Sequence, residues 1–199
     1  MAGGGTTYGV QSSAISNALK IWVRGEDGTT VCAVLGPGTS QELQANWKSP
    51  FEGEALGSKF EKLGGLAQSA TGMTMTTTFN SRQVWQGNRP MQFNLEMIFF
   101  ALSDPQNEVT YAIRELQKME SPEVNSLIPM TLSDGTPTFG NAPKPVTINI
   151  GTKVIYQDCV IESVSRPFDG QFTSDGHQVR ATVNVQVSSI DMLNRSKIV

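Results

Sequence analysis

The chain has 199 residues, of which 38% are apolar and 17% are charged, with a formal net charge of −3. This length suits one domain with a substantial core, and the mild acidity argues against general binding of a phosphate backbone. The longest apolar run, Met97 to Leu102, is far shorter than the roughly 20 residues of a membrane-spanning helix, so we expect no membrane span. The amino terminus lacks the features of a secretory signal, and we expect the chain to be made and folded in a cytoplasm.

The chain is predicted to begin with an arm and a β-hairpin. Residues 1–18 are small and polar, which is typical of a flexible arm that a neighbour can order. Residues 19–36 indicate a hairpin with a Glu-Asp-Gly turn. In this hairpin Ile21 and Val23 face the apolar residues of the second strand, Val31, Ala33 and Leu35.

An irregular insertion is predicted after the hairpin. Residues 37–72 contain many glycines and prolines and only one short helical pattern. Insertions of this length usually serve an interface, so we assign 19–72 as an N-terminal hairpin with an interface insertion. The short helical pattern consists of Leu56, Phe60 and Leu63.

Residues 73–199 are predicted to form a β domain with one helix. Residues 91–99 alternate between apolar and polar side chains, which indicates a half-buried strand. The period then becomes helical over about 105–119, where Asp104 is placed to cap the first turn. The order of strands, one helix and further strands suits an antiparallel sheet, curved or closed into a barrel, with a helix against it. The apolar stripe of this helix is Val109, Ala112, Ile113 and Leu116.

Residues 172–187 form an almost perfectly alternating ribbon. A one-residue slip would turn its apolar row to water, so the pattern predicts a strand with a strongly specified register. An exposed edge of such a strand would template aggregation unless the sheet closes or pairs with another subunit, and head-to-tail pairing around an axis makes a ring. The predicted core of the ribbon is Val179, Val183, Val185 and Val187, and its polar side carries Arg180, Thr182, Asn184 and Gln186.

Few residues of the chain point to chemistry. His177 is the only histidine and follows a turn signal, so any catalytic triad would have to use it. Together with the distant Cys32 and Cys159 it gives none of the spacings of a zinc site, and the glycine-rich stretches lack a phosphate-binding context. We therefore predict no catalytic residue, no metal, no cofactor and no enzymatic activity. The cysteines are expected to be reduced and buried, with a disulfide as the alternative.

The carboxyl-terminal part carries a motif with a familiar order. A Phe- and Leu-rich strand, a Pro-initiated helix and a Pro-rich connector precede the motif, and the resemblance covers roughly 73–190. This order resembles the tube proteins of contractile injection systems and phage tails, and is closest to the tube-initiator, or baseplate-tube, class. The motif reads Val160-Ile161-Glu162-Ser163-Val164-Ser165, Phe168, Phe172, Asp175-Gly176 and Val179-Arg180-Ala181-Thr182-Val183-Asn184-Val185.

The resemblance implies a mainly β (α+β) fold, a tail-tube-like antiparallel β-barrel or sandwich with one flanking helix and long hairpins. Six copies would form a homohexameric ring, lined by the ribbons 73–99 and 153–187. Uncharged polar side chains on the inner wall would let DNA and the tape-measure protein pass without specific binding. The implied partners are the tail-tube protein, the baseplate hub or spike and the sheath initiator, in a virion assembled in the bacterial cytoplasm.

The resemblance implies a ring that connects the central hub to the tail tube. The repeating tail-tube subunit, a cell-wall-binding module and a hydrolase remain as alternatives. The 70 or so residues ahead of the matched region favour an adapter ring, while the LysM-like module of many initiator relatives has no counterpart here. Arg180 is either an assembly contact, because its planar fork suits a carboxylate or carbonyl, or a solvated surface residue. The candidate interface residues are Phe168, Phe172, Asp175 and Arg180.

Overall fold

A computed structural model describes residues 5–48, 83–124, 140–168 and 170–192. The chain divides into two compact units, one comprising Met1–Glu42 with Pro90–Val199 and the other Leu43–Arg89. The structure is mainly β, and it contains a closed six-stranded antiparallel barrel and one α-helix. The predicted β-rich barrel with a helix is therefore confirmed.

Twelve strands and three helical segments lie within the described ranges. The helical segments are a 3₁₀ turn at Asn17–Leu19, a π-helical segment at Gln106–Tyr111 and the α-helix α1 at Ala112–Glu120. The strands are β1 (Thr7–Gly9), β2 (Lys20–Gly25), β3 (Thr30–Leu35), β4 (Ser40–Glu42), β5 (Ala45–Lys48), β6 (Val84–Asn88), β7 (Gln92–Phe100), β8 (Glu123–Val124), β9 (Gly140–Asn141), β10 (Val146–Ile150), β11 (Val154–Ser165) and β12 (Arg180–Ser189).

The barrel closes through the strand order β3-β2-β10-β11-β12-β7, with β7 pairing back to β3. The closing seam is short, because only Val34 and Leu35 of β3 pair with Ile98 and Met97 of β7. Beyond it, β1 pairs in parallel with β3, and β4 pairs with β7. The alternating ribbon, β12, lies between β11 and β7. Closure within the chain therefore satisfies its backbone, and no second subunit is needed to complete these ladder bonds.

The predicted N-terminal hairpin is present as β2 and β3. Ile21 pairs with Ala33 and Val23 with Val31, so the apolar rows of the two strands are in register as the alternation predicted. The turn holds Gly28 at a φ of 87°, in the left-handed region that glycine adopts without strain. Because β2 also pairs with β10, this hairpin belongs to the same barrel as the later strands. The structure therefore does not divide at residue 73, where the sequence analysis separated the hairpin from the β domain.

The barrel interior is filled by the apolar rows of its strands. On β7 the odd-numbered residues from Met91 to Phe99 are buried, and on β12 Ala181, Val183, Val185 and Val187 face them in register. Val179 differs from the prediction, since it precedes β12 and is only partly buried. The fully buried residue at this point is Gln178, whose amide forms hydrogen bonds inside the protein.

The predicted helix begins as a π-helical segment and continues as α1. Its amino end is capped twice: Asp104 Oδ1 accepts hydrogen bonds from the backbone N–H groups of Gln106 and Asn107, at 3.0 and 3.2 Å. The carboxylate of Glu108 accepts from the N–H groups of Leu102, Ser103 and Asp104. The helix ends at Glu120. Its apolar stripe belongs to the barrel's core cluster and consists of Val109, Ala112, Ile113 and Leu116.

Other segments differ from their sequence assignment or lie outside the described residues. Part of the predicted flexible arm, 1–18, is packed, because β1 pairs with β3 and Val10 is buried. The short helical pattern within 49–82 and the start of the 73–99 ribbon lie outside the described residues, as does most of the proline-rich connector. The second unit is described as the hairpin of β5 and β6, in which Trp47 pairs with Trp85.

Candidate assembly surface

The outer face of β7 and β12 carries mainly uncharged polar side chains. The antiparallel register sets Gln186 opposite Asn94 and Asn184 opposite Glu96. Except for Glu96, which is partly buried, these side chains are exposed, and alternation places them on the side opposite to the buried valines. Amide side chains bond to water and to neutral groups without creating a net field, so this face attracts a polyanion weakly.

Glu96, the only carboxylate on this face, is bound by the turn that follows β3. Its Oε2 accepts from the backbone N–H of Gly38 at 2.5 Å, and its backbone C=O accepts from the N–H of Gly36 at 2.7 Å. The Glu96 N–H in turn donates to Thr39 Oγ1 at 3.1 Å. A Cβ on Gly36 would lie 2.6 Å from Glu96 Cγ, so this close approach requires glycine or a shifted side chain.

The loop between β11 and β12 carries three of the four candidate interface residues. Phe168 is 72% exposed and Phe172 is 47% exposed, and Asp175 lies on the exposed tip of the loop. A tight turn closes the tip: the N–H of Thr173 donates to the C=O of His177 at 2.8 Å, and Gly176 has a φ of 81°. The loop therefore exposes two large apolar rings to water, and a tight turn closes its tip.

The partly buried Arg166 and the fully buried Gln178 form a junction at the base of this loop. Gln178 is 0% exposed, and its Oε1 accepts from Nε and Nη2 of Arg166 at 3.2 and 3.0 Å. Its Nε2 donates to the C=O of Pro167 at 3.2 Å. Arg166 Cζ lies 4.8 Å from the centre of the Phe168 ring, within the range of a cation–π contact. The amide thus fixes the guanidinium, which in turn supports the exposed ring.

Arg180, the fourth candidate, begins β12 and is exposed. It pairs in register with Phe100, and within the described ranges its side chain takes part in no ion pair or hydrogen bond. The structure therefore places Arg180 and Phe172 near the same end of β12, while leaving the guanidinium of Arg180 free to contact another molecule.

Sequence reasoning missed Arg166 and Gln178, which lie at unspecified positions between the parts of the resemblance motif. The signal that was available is the polar residue at 178, immediately before the apolar row of the ribbon. In the alternating ribbon the odd-numbered residues face the core, so the glutamine at 178 is expected to be exposed. If it is buried instead, its amide needs hydrogen-bond partners inside the protein. Arg166 supplies the donors for that amide.

Glu162 occupies a bulge on β11. The register with β12 shifts between Ile161 and Ser163, which leaves Glu162 as the extra residue, exposed to solvent. It lines a shallow depression of about 270 Å³ together with polar side chains of neighbouring strands. No ion pair or hydrogen bond of Glu162 is present among the described residues. The other polar residues of this depression are Ser40, Glu42, Gln92, Asn94 and Gln186.

The β5–β6 hairpin of the second unit also exposes aromatic rings. Trp47 and Trp85 pair across the two strands and are 54% and 49% exposed. The indole N–H of Trp85 donates to Asn88 Oδ1 at 3.2 Å, which leaves the ring surfaces as the exposed part. Exposed tryptophans on a short hairpin are typical of surfaces that become buried on association.

A larger groove of about 680 Å³ lies between the β2–β3 turn, α1 and the segment before β10. Its charged side chains include two ion pairs, Lys118 with Glu115 at 2.6 Å and Lys144 with Glu26 at 3.9 Å. Because these charges neutralise each other within the chain, the groove displays no strong preference for a charged ligand.

The reactive side chains are separated. Cys32 and Cys159 are buried and free, as expected from their apolar neighbours, and burial raises the pKa of each thiol to about 11. His177 Nδ1 is buried without a hydrogen-bond partner. Within the part of the chain that the structure describes, no three His, Cys, Asp or Glu residues are grouped to hold a metal ion. Among the same residues, no helix has the length and apolar character needed to cross a membrane.

Comparison with protein-family models gives no match for this chain. Comparison with curated proteins gives no significant match either.

Proposed function

We propose that this chain is a structural, non-enzymatic subunit of a ring in the baseplate or proximal tube of a contractile tail. In this role it connects the central hub to the tail tube and lines the channel. The observation that carries the proposal is the exposed outer face of β7 and β12, with Asn94, Asn184 and Gln186 in neighbouring positions. Uncharged amides suit a channel wall, because DNA and a tape-measure protein slide past them without being held by charge.

The position of the resemblance motif supports the proposal. Its first half lies on β11, its two phenylalanines lie on the connecting loop, and its last seven residues end on β12. The motif therefore coincides with the hairpin that contributes half of the polar face. In a ring of six copies, these hairpins would lie side by side around the channel.

Exposed aromatic rings, present on each unit separately, support a role in assembly. Phe168 and Phe172 stand on one ordered loop, and Trp47 and Trp85 stand on the β5–β6 hairpin. Large apolar side chains held in water are stabilised when a neighbouring subunit covers them. We propose that Phe168, Phe172, Asp175 and Arg180 contact neighbouring subunits of the ring or its partners, the tail tube, hub and sheath initiator.

The repeating tail-tube subunit is a second candidate, because the same polar face would line a tube as well as a single ring. Copy number separates the two. Quantitative mass spectrometry of purified tail particles is expected to find this chain at a small fraction of the sheath protein, as a single ring requires. An abundance equal to that of the sheath would instead identify the tube subunit, and absence from the particles would contradict both.

A charge substitution tests the channel role directly. Asn94→Lys with Gln186→Lys adds two cations per subunit to the polar face, and contacts with phosphates bind DNA electrostatically. We expect such particles to assemble but to deliver DNA more slowly, with a delay that shrinks at high salt. The matched control is Gln157→Lys, an exposed position on β11 outside this face. Unchanged delivery by the double variant would contradict a channel-lining role.

A further inference from the structure

The guanidinium of Arg166 is held in one place by groups of its own chain. The side-chain oxygen of Gln178, which is fully buried, accepts hydrogen bonds from two N–H groups of Arg166. The side-chain nitrogen of Gln178 donates to the backbone C=O of Pro167, which holds the amide in place. A buried amide that is satisfied on both ends has one stable orientation, so it positions the cation bound to it. Arg166 is therefore preorganised before any ligand arrives.

One edge of this guanidinium remains free. An arginine fork has two edges that can bind two oxygens, and Gln178 occupies the edge formed by Nε and Nη2. The Nη1 and Nη2 edge contacts no acceptor in the described ranges, while Phe168 covers one flat side of the group. Burial lowers the pKa of Arg166, which indicates that its charge is partly removed from water without a compensating carboxylate.

We propose that this free edge binds the Glu162 carboxylate of a second copy of this chain. A carboxylate presents two oxygens in a plane, which match the two parallel N–H groups of the fork. The contact would compensate the cation and place the exposed Phe168 ring against the neighbouring barrel.

Glu162 is an exposed acid that no side chain or backbone group of the described residues binds. Several other carboxylates of the barrel unit are already bound by their own chain, whereas Glu162 is exposed and stands on a bulge, beside polar side chains that include Glu42. A bulge redirects a side chain away from the regular sheet surface, which makes Glu162 reachable from outside. The acids engaged within the chain are Glu26, Asp27, Glu96, Asp104, Glu108 and Glu115.

Arg166 and Glu162 of one copy do not pair with each other. They are four residues apart along an extended strand, a separation of about 13 Å, and the structure contains no ion pair between them. Each copy therefore carries a donor, Arg166, and an acceptor, Glu162, at two different places on its surface. When the donor of one copy binds the acceptor of the next, the contact is head to tail, and such contacts can close into a ring. The ring itself rests on the proposed function, but the contact between copies can be tested without it.

Charge reversal provides the test, with sedimentation velocity over a concentration series as the measurement. We expect Arg166→Glu and Glu162→Arg each to weaken self-association of the full chain roughly thirtyfold or more, since each leaves a like-charge pair at the contact. The double variant, which restores opposite charges in exchanged positions, is expected to recover association. Circular dichroism melts establish that each variant is folded, and Glu162→Arg is the critical single variant because its side chain is exposed.

Two control variants test whether Glu162, and no other acid, supplies the carboxylate. Asp191→Arg reverses an exposed acid outside the depression, and we expect it to associate like the parent chain. Asp169→Asn removes the acid nearest to Arg166 in sequence, and we expect it to have no effect. Loss of association in Asp169→Asn, or normal association in Glu162→Arg, would overturn the inference.

The remaining outcomes also decide the question. A parent chain that stays monomeric at all concentrations overturns the contact between copies. If tail particles nevertheless contain the chain as a ring, the proposed function stands and only this contact fails. If the contact is demonstrated but no tail particle contains the chain, the proposed function fails and the contact stands.

Discussion

Glu96 binds the backbone N–H of Gly38 through its carboxylate, and this contact ties the turn after β3 to the outer side of β7. The backbone bonds from Gly36 to Glu96 and from Glu96 to Thr39 Oγ1 strengthen the same junction. Since β4 follows this turn and pairs with β7, the junction also sets where β4 begins. A single acidic side chain therefore organises the outer edge of the barrel seam while its charge is withdrawn from the polar face.

Replacing Glu96 by alanine is expected to destabilise the protein by about 1 kcal/mol, because the Gly38 N–H loses its acceptor. Denaturant unfolding measures the change, and hydrogen exchange should show faster exchange at Gly38. Gln157→Ala is the matched control, since it removes an exposed polar side chain from β11 without breaking a side-chain bond within the described residues. Equal stability of the two variants would contradict this role of Glu96.

Stability should depend on pH through the helix cap. Burial alone would raise the pKa of Glu108, but the backbone N–H groups of Ser103, Leu102 and Asp104 donate to its carboxylate, and its pKa lies below the ordinary value of 4.5. The pKa of Asp104 is lowered too, chiefly by hydrogen bonds from Asn107. A pKa that is lower in the folded state stabilises the protein above the unfolded value, and this contribution is lost as pH falls through the folded pKa.

The variant Glu108→Gln tests this dependence because it keeps the shape and removes the charge. We expect its melting temperature to lie below that of the parent chain near neutral pH. The difference should shrink as the pH falls below 4.5, where the parent carboxylate also becomes protonated. Thermal melts at a series of pH values measure it, and a difference that does not change with pH would count against the cap.

The main elements of the barrel could be predicted from the sequence because their apolar rows are long. Alternation over Met91–Phe99 and over Ala181–Val187 indicated two half-buried strands, and the structure pairs them directly. The closing seam could not be predicted in this way. It consists of two pairs only, Val34 with Ile98 and Leu35 with Met97, and so short a contact between β3 and β7 leaves no period in the sequence.

The candidate site was predictable only where side chains alternate in sequence. The polar face of the ribbon follows from its pattern, but the junction of Arg166 with Gln178 joins two residues twelve positions apart across a loop. A buried glutamine looks like a surface residue in the sequence, because its burial depends on partners that only the fold brings near. The bulge at Glu162 could not be predicted from the sequence either, because one extra residue in a strand leaves the local composition unchanged.

The two thiols should be unreactive in the folded protein. Burial raises the pKa of both Cys32 and Cys159 to about 11, so the thiolate that attacks maleimide is scarce at neutral pH. We expect no labelling of the folded chain and two labels per chain in denaturant, counted by intact-mass spectrometry. A disulfide would instead block labelling of the unfolded chain until a reductant is added.

Val183 provides the sharpest test of the barrel interior. It is fully buried and pairs in register with Met97, so Val183→Asp places an unpaired carboxylate among apolar side chains. We expect a loss of more than about 4 kcal/mol in the free energy of unfolding, which is a large part of the roughly 5–15 kcal/mol of an ordinary domain. The matched control is Asn184→Lys, which adds a charge one residue further along β12, in water and opposite Glu96, and which should melt close to the parent chain. If Val183→Asp were soluble with an unchanged melting temperature, the assignment of inner and outer faces of β12 would be wrong, and with it the proposed role of the outer face as a channel wall.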